Sequence, residues 1–313
     1  MDQTVTASGA LAPEAGPADV PGPPSRLTIP AALRWLRRVL GIVPFGAYVA
    51  LGLLLPMIAV AIGAFQNDSG GFTFGNISAA THGIYLHGFW QSIILSVFTS
   101  ILPAIFGLLI AYAIFTAKRG NLLRQVTITA SGVFANFGGV PLAFLFIASL
   151  GSSGLITHWL NNLGFDIYAN GFSLYSLSGV VLVYMYFQIP LMVLVILPAL
   201  EGLRPAWREA AQNMGARTWD YWRFVAGPVL LPSFMGCVLL LFGSALSAYA
   251  TAEALTNGTI PLTSIQIGSF LNGNVIAGQE NVGKALGLGM VVIIAIAMTI
   301  YVVLQRRAAR WLR

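Results

Sequence analysis

The chain has 313 residues, 57% of them hydrophobic and 8% charged, with a mean hydropathy of +0.80. Soluble domains carry about 25% charged residues, so this composition excludes an ordinary soluble protein and describes an integral membrane one. The net charge of +6 suggests nucleic acid only until the charges are placed along the chain, and the lone Cys237 leaves no partner for a disulfide or a multi-cysteine metal site.

Residues 1–25, MDQTVTASGALAPEAGPADVPGPPS, are rich in Pro, Ala and Gly, with three acids and no basic residue. A signal peptide needs a basic start and an apolar centre. This segment reads instead as a disordered tail. Arg26, Arg34, Arg37 and Arg38 follow it. The expected plan is a tail and basic cytoplasmic segment over 1–38, then a membrane domain over 39–313.

A helix needs about 20 apolar residues to cross a bilayer. Six stretches qualify, near 40–65, 89–116, 125–149, 176–200, 228–252 and 284–305. Apart from Lys284 at the edge of the last, none holds an Asp, Glu, Lys or Arg. The basic residues cluster before the first stretch, between the second and third (Lys118, Arg119, Arg124), between the fourth and fifth (Arg204, Arg208, Arg217, Arg223), and after the sixth (Arg306, Arg307, Arg310, Arg313). That puts 15 of the 16 on one side, which the positive-inside rule makes cytoplasmic. Both termini are then inside, and the net charge needs no nucleic acid.

The outer connections 66–88, 150–175 and 253–283 hold His82, His87 and His158, too scattered for a metal site. Gradient-driven machines usually keep an ionisable group at membrane depth. Its absence disfavours proton coupling and leaves open a neutral-lined sodium site.

Polar and flexible positions remain within the spans. Asn136, Gly138, Gly139 and Pro141 interrupt the third. Tyr184 and Gln188 lie at i, i+4 in the fourth, before Pro190. Ser244, Ser247 and Thr251 form a hydroxyl stripe in the fifth, beside Tyr249. Such groups commonly join membrane helices. A translocation path also needs them, so its candidates are Asn136, Tyr184, Gln188, Ser244, Ser247, Tyr249 and Thr251.

The insert 201–227, EGLRPAWREAAQNMGARTWDYWRFVAG, breaks the apolar pattern on the cytoplasmic side. Pro205 suits the first turn of a helix and Gly215 its end. Between them Ala206, Ala210 and Met214 share one face, with Ala211 beside it. Two readings fit this composition. One is an amphipathic helix resting on the headgroups, as the aromatic residues of RTWDYWRF suggest. The other is a small apolar knob seated in another protein's groove, with Arg208 and Glu209 as rim contacts.

The spacing favours the second. Glu209-Ala210-Ala211 is followed after three residues by Gly215, and nine residues later by Val225-Ala226-Gly227-Pro228. This resembles the E-A-A motif of the membrane subunits of binding-protein-dependent ABC importers. Val225 stands for the usual Ile, while Gly227 departs from Leu where the chain re-enters the membrane. The resemblance covers roughly 40–305. It implies an all-α integral membrane protein with six transmembrane helices in the type I ABC importer (MetI-like) permease fold, N and C termini cytoplasmic. It also implies a coupling helix within 204–219 that docks on an ATPase through Arg204, Ala206, Arg208, Glu209, Ala210, Ala211, Met214, Gly215 and Arg217. Glu209 would orient that helix, and Gly215 would permit the turn after it.

The implied partners are a cytoplasmic ATP-binding subunit dimer, a second homologous permease subunit (or a homodimer), an extracytoplasmic solute-binding protein and the lipid bilayer, with no nucleic acid. The chain itself would be no enzyme and hold no cofactor or metal, ATP and Mg being bound by the partner ATPase. Its place would be the bacterial cytoplasmic (inner) membrane.

Three further stretches, GSSGLITHWLNNLGF (151–165), SALSAYATAEAL (244–255) and LTSIQIG (262–268), are similar to the branch that imports polyamines, ferric iron, thiamine and phosphonates. They look most like spermidine/putrescine-type permeases, so a polyamine is expected, with ferric iron, thiamine or a phosphonate as alternatives. Asp166, Glu253 and Glu280 on the outer side suit a cation, or are simply solvated loop carboxylates. A gradient-driven secondary transporter or channel is the rival class, but it gives no reason for the spacing around Glu209. A membrane enzyme would need clustered His, Asp or Cys at one face, and the insert disfavours an exporter.

The stretch 278–285, GQENVGKA, nearly matches a phosphate-binding P-loop. It lacks the Ser or Thr after Lys284, has Ala285 there instead, and falls on the outer side. Gly283 and Gly287 are better read as a close-packing step of the sixth helix.

Overall fold

The computed structural model describes residues 43–67, 69–117, 120–169, 171–271, 273 and 280–310. The expected tail over 1–38, Lys118, Arg119, Gly278, Gln279 and Arg313 lie outside these, as do the side chains of Glu280 and Arg310. The chain divides into two compact units, Met1–Leu55 and Pro56–Arg313. In the first, α1 (43–49) leads into a π-turn at Ala50–Leu54, and large apolar side chains such as Phe45 and Tyr48 are exposed.

Helices α2 (Leu55–Ala64), α3 (Gly75–Ala80), α4 (Gly83–Thr116), α5 (Leu122–Asn136), α6 (Val140–Leu150) and α7 (Leu155–Asn162) follow. Next come α8 (Leu177–Glu201), α9 (Pro205–Asn213) and α10 (Thr218–Tyr221), which passes through a π-turn at Trp222–Ala226 into α11 (Gly227–Ser247). The chain ends with α12 (Ala250–Thr256), α13 (Thr263–Leu271) and α14 (Glu280–Arg310). No strand occurs among the described residues, where a single bridge pairs Gln66 with Phe72.

Among the described residues six segments are long and apolar enough to cross a membrane: Val43–Ala64, Gly83–Thr116, Val140–Asn162, Leu177–Glu201, Thr218–Ser247 and Asn281–Arg307. Their number agrees with the sequence reading; several bounds do not. The stretch 125–149 is two helices, because α5 ends at Asn136 and Gly139 takes φ 76°, ψ −154° before α6 begins. That left-handed φ favours glycine, and Pro141 follows at the start of the new helix. The stretch 228–252 also breaks, at Ala248 (φ −70°, ψ 110°), so α11 stops at Ser247. Its helical run begins earlier than expected, at Thr218, since the aromatic end of the insert is itself helical.

Within the second unit α8 is the central helix, packed on α4, α5 and α11. Lipid offers helices no hydrophobic reason to associate, so close packing must hold them. Gly107 of α4 shows how close. A Cβ there would stand 2.6 Å from Met192 Cβ and 2.9 Å from the Ile189 carbonyl oxygen of α8. Pro103, Pro190 and Pro198 lie inside α4 and α8. Membrane helices tolerate such breaks when neighbouring groups satisfy the freed carbonyls.

Helix α14 includes Glu280 to Ala285 of the P-loop-like stretch, so no strand-to-helix turn forms its Gly-Lys step. Lys284 Nζ donates to Asn281 Oδ1 at 2.8 Å. A Cβ on Gly283 would lie 2.8 Å from Phe270 Cβ, which fits the close-packing reading. Gly287 meets Val60 only at an ordinary 3.5 Å; the other tight approach belongs to Gly289, 2.5 Å from Phe89 Cζ.

Gly107→Val should drive α4 from α8 and destabilise the protein by about 1–3 kcal/mol, read as a lower thermal midpoint of the purified permease. Gly132→Ala, where a Cβ meets nothing within 4 Å, should leave that midpoint unchanged or raise it.

Candidate functional site

The insert forms a helix with two distinct faces. Arg204 is its extended N-cap and Pro205 its first residue. Trp207 and Ala211, one turn apart, face inward onto the cluster that includes Leu203, Tyr221, Leu200 and Leu230. Ala206, Arg208, Glu209, Ala210 and Met214 point outward, and Met214 is 81% exposed. Ala211 therefore departs from the predicted docking set: it is 4% exposed and anchors the helix to its own bundle.

The end of α9 is sharply fixed. Gly215 takes φ 80°. Its N–H donates to the Gln212 carbonyl at 2.9 Å, and the Ala216 N–H reaches back to the Ala211 carbonyl at 3.0 Å. This is a Schellman closure, which strongly favours glycine at the left-handed position. The chain then turns into α10, whose Asp220 accepts from the Arg217 backbone N–H at 3.0 Å. Arg217 is exposed, and the Arg204 guanidinium lies 5.9 Å from the Trp207 ring.

Just before α9, Arg124 at the start of α5 donates to Glu201 at the end of α8. The pair ties two helix ends beside the insert. Sequence reading left both residues as flanking charges; their opposite signs at the same membrane face were the available signal.

A second constellation gathers at the two helix breaks. The Gly139 N–H donates to Thr251 Oγ1 at 2.8 Å, which links the α5–α6 break to α12. The Ala248 carbonyl, between α11 and α12, accepts from Tyr184 Oη at 3.0 Å and from Ser264 Oγ at 3.3 Å. Gln188 Nε2 donates to the Leu241 carbonyl at 3.1 Å. The Tyr249 ring covers Gly268, where a Cβ would stand 2.4 Å from Cε2. Ser264, Ser92 (which accepts from the Thr263 N–H at 2.8 Å) and Gly268 belong to this network; sequence reading gave Ser92 no role and took Ser264 and Gly268 only as part of the stretch LTSIQIG.

The predicted path residues thus separate. Tyr184 and Gln188 are fully buried and Thr251 nearly so, all three bonded to backbone. Asn136 and Ser247 are exposed, Ser244 and Tyr249 half-buried. Ser244, Ser247 and Thr251 do not form one helical stripe, because the break at Ala248 puts Thr251 on a different helix. Among the described residues no three of His, Cys, Asp and Glu gather as a metal site. His82 instead contacts the Ser78 carbonyl and His87 contacts Gln91.

Residues 71–313 match the model of a family described as "Binding-protein-dependent transport system inner membrane component". The thiamine transport system permease protein ThiP of Escherichia coli (strain K12) is 30% identical over 191 residues, covering 58% of this chain and 33% of that protein. The chain therefore matches only about one third of that relative's length. A probable sulfate transport system permease protein, cysT, of Helicosporidium sp. subsp. Simulium jonesii is 23% identical over 260 residues, 82% of this chain and 90% of that one. In three dimensions the chain resembles a bacterial ABC transporter involved in the import of the acidic polysaccharide alginate, with TM-score 0.68 and 19% identity over 87% of this chain and 96% of that one. An inward-facing MetNI methionine ABC transporter aligns with TM-score 0.52 and 14% identity, over 73% and 97%. At these identities the structures establish the fold alone, that of type I ABC importer permeases.

Thr251→Val should leave the Gly139 N–H without its partner and cost about 1–3 kcal/mol, while Thr251→Ser keeps the bond. The thermal midpoints of the two variants should differ in that order; equal midpoints would show that the bond does not hold the breaks together.

Proposed function

Because the chain belongs to the family of binding-protein-dependent transport system inner membrane components, we propose that it is the permease subunit through which an ABC importer moves a small solute across the bacterial cytoplasmic membrane. The observation that carries this reading is α9: a short helix anchored by Ala211 and Trp207, with Ala206, Ala210 and Met214 presented outward. Small residues let a partner's backbone approach closely, and Arg208 and Glu209 flank them as polar rim contacts. The occupant is a cytoplasmic ATPase subunit, which binds ATP and Mg. The face that carries α9 is cytoplasmic, since the insert's arginines gather there.

The chain's part in the cycle follows from its packing. Closure of the ATPase dimer displaces α9. Its buried face passes that displacement to the core shared by α4, α8 and α11. Helix α8 ends in Glu201 beside α9 and, further along, holds the α11–α12 break through Tyr184 and the body of α11 through Gln188. Motion at α9 is therefore applied to the breaks, where the backbone already leaves the helical path. That is a contiguous mechanical link between docking face and spans. A second permease subunit, homologous or identical, completes the pore, and an extracytoplasmic binding protein delivers the solute.

The relatives above are thiamine and sulfate permeases and lend no support to a polyamine. An organic cation of the thiamine kind is the reading we favour over sulfate. Glu253 stands in the first turn of α12, beside the break, and its Oε2 is buried without a hydrogen-bond partner among the described residues. A carboxylate there attracts a cation and repels a dianion.

Glu209→Ala and Gly215→Val should weaken ATPase co-purification or uncouple hydrolysis from uptake several-fold, with expression near wild type. Wild-type ATPase binding and full uptake in both variants would refute the docking assignment. A thermal-shift screen of the co-purifying binding protein should respond to thiamine, and Glu253→Gln should lower uptake of that cation; a response to sulfate alone would overturn the substrate reading.

A further inference from the structure

An apolar slot of about 450 Å³ opens between α4, α8 and the α10–α11 segment. Buried Ile196, Leu200 and Leu230 make its floor; exposed Leu109, Tyr112 and Trp219 stand in its walls. Trp222 lines it too, edge-on to Tyr112 at 5.2 Å. The lining residues lie near the α9 end of their helices. Leu108 precedes the end of α4 at Thr116, Leu200 adjoins the end of α8, and Leu230 sits in the first turn of α11. At 1.5 Å per residue the slot reaches roughly 12 Å into the bundle.

Two exposed arginines adjoin the aromatic lining along the chain, and the Arg223 guanidinium lies 5.4 Å from the Phe224 ring. Arg223 follows Trp222 and lies one helical turn from Trp219; Arg217 precedes α10. Both arginines are exposed, and neither is in the one ion pair formed among the described residues, Arg124–Glu201. Tryptophan at this position marks the headgroup level of a bilayer. The outward residues of α9, Ala206, Ala210 and Met214, are not in the slot's walls, whereas Arg217 of the expected docking set adjoins the lining residue Thr218, so the slot borders the docking face.

These features select the occupant. An anionic lipid satisfies both halves of the site. Its chain fills apolar volume, and its phosphate accepts charge-assisted bonds from guanidinium groups. We propose that the slot binds an acyl chain of an anionic phospholipid, with its phosphate held by Arg223 and Arg217. A chain seated there braces α10 against α4 where displacement of α9 enters the core.

The test uses the complete permease–ATPase complex in lipid nanodiscs doped with brominated phosphatidylglycerol or brominated phosphatidylcholine, whose bromines quench nearby tryptophan. The difference between wild type and Trp222→Phe isolates the signal of Trp222; Trp219→Phe provides the same comparison if the first variant fails to fold. Phosphatidylglycerol should quench that signal at several-fold lower mole fraction than phosphatidylcholine. Arg223→Gln should remove most of that preference, and Leu109→Phe, which narrows the slot, should weaken quenching by both lipids. Equal quenching by the two lipids would reduce the slot to ordinary lipid contact and overturn the proposal. So would no quenching by either, the result expected if a protein subunit covers it, or an unchanged preference in Arg223→Gln. ATPase co-purification in the same preparations reports separately on α9, so failure of the docking assignment and failure of the lipid site are distinguishable.

Discussion

Backbone amides and carbonyls have no water to turn to inside a bilayer, and most of this structure answers that constraint. Two apolar segments break, at Phe137–Gly139 and at Ala248. Each break frees backbone groups that need partners. Thr251 supplies an acceptor for Gly139, while Tyr184 and Ser264 both supply donors to Ala248. The bonds join α8, α12 and α13 at the points where the spans lose their own ladders. A helix break in a membrane is useful only if it is held, and here the same polar side chains both permit it and restrain it.

The other half of the design is a small helix attached by its inner face. Ala211 and Trp207 rest on the core, and the Schellman closure at Gly215 fixes where α9 stops. With the inner face committed, the outer face is free for a partner. Ala211 illustrates why a motif residue need not be a contact residue. Its small size lets α9 seat tightly on the core. The Arg124–Glu201 pair joins α5 to α8 beside it.

Much of this was legible beforehand, for identifiable reasons. Six spans follow from apolar length, and the insert stands out because it is polar between two spans. Pro205 and Gly215 mark the helix ends through fixed backbone preferences, which do not depend on tertiary context. Gly138, Gly139 and Pro141 announced the interruption of the third span. The second break was missed, since Ser247-Ala248-Tyr249 contains neither Gly nor Pro. The tight approach of Gly289 was missed as well, because only the identity of the facing residue, Phe89, distinguishes it from Gly287.

By itself, then, the sequence determined the class of protein, the number of spans, the place of the short helix in the polar insert and the family to which the chain belongs. These depend on composition, on local backbone chemistry and on spacing along one chain. The tertiary structure alone decided which polar residues tie distant segments and which, like Asn136 and Ser247, bond only within their own helix. Tyr184, Gln188 and Thr251 are as polar as Asn136 and Ser247 and sit in equally apolar surroundings along the chain. They differ only in whether a carbonyl or amide from a distant helix lies within about 3 Å, and that depends on how the helices pack.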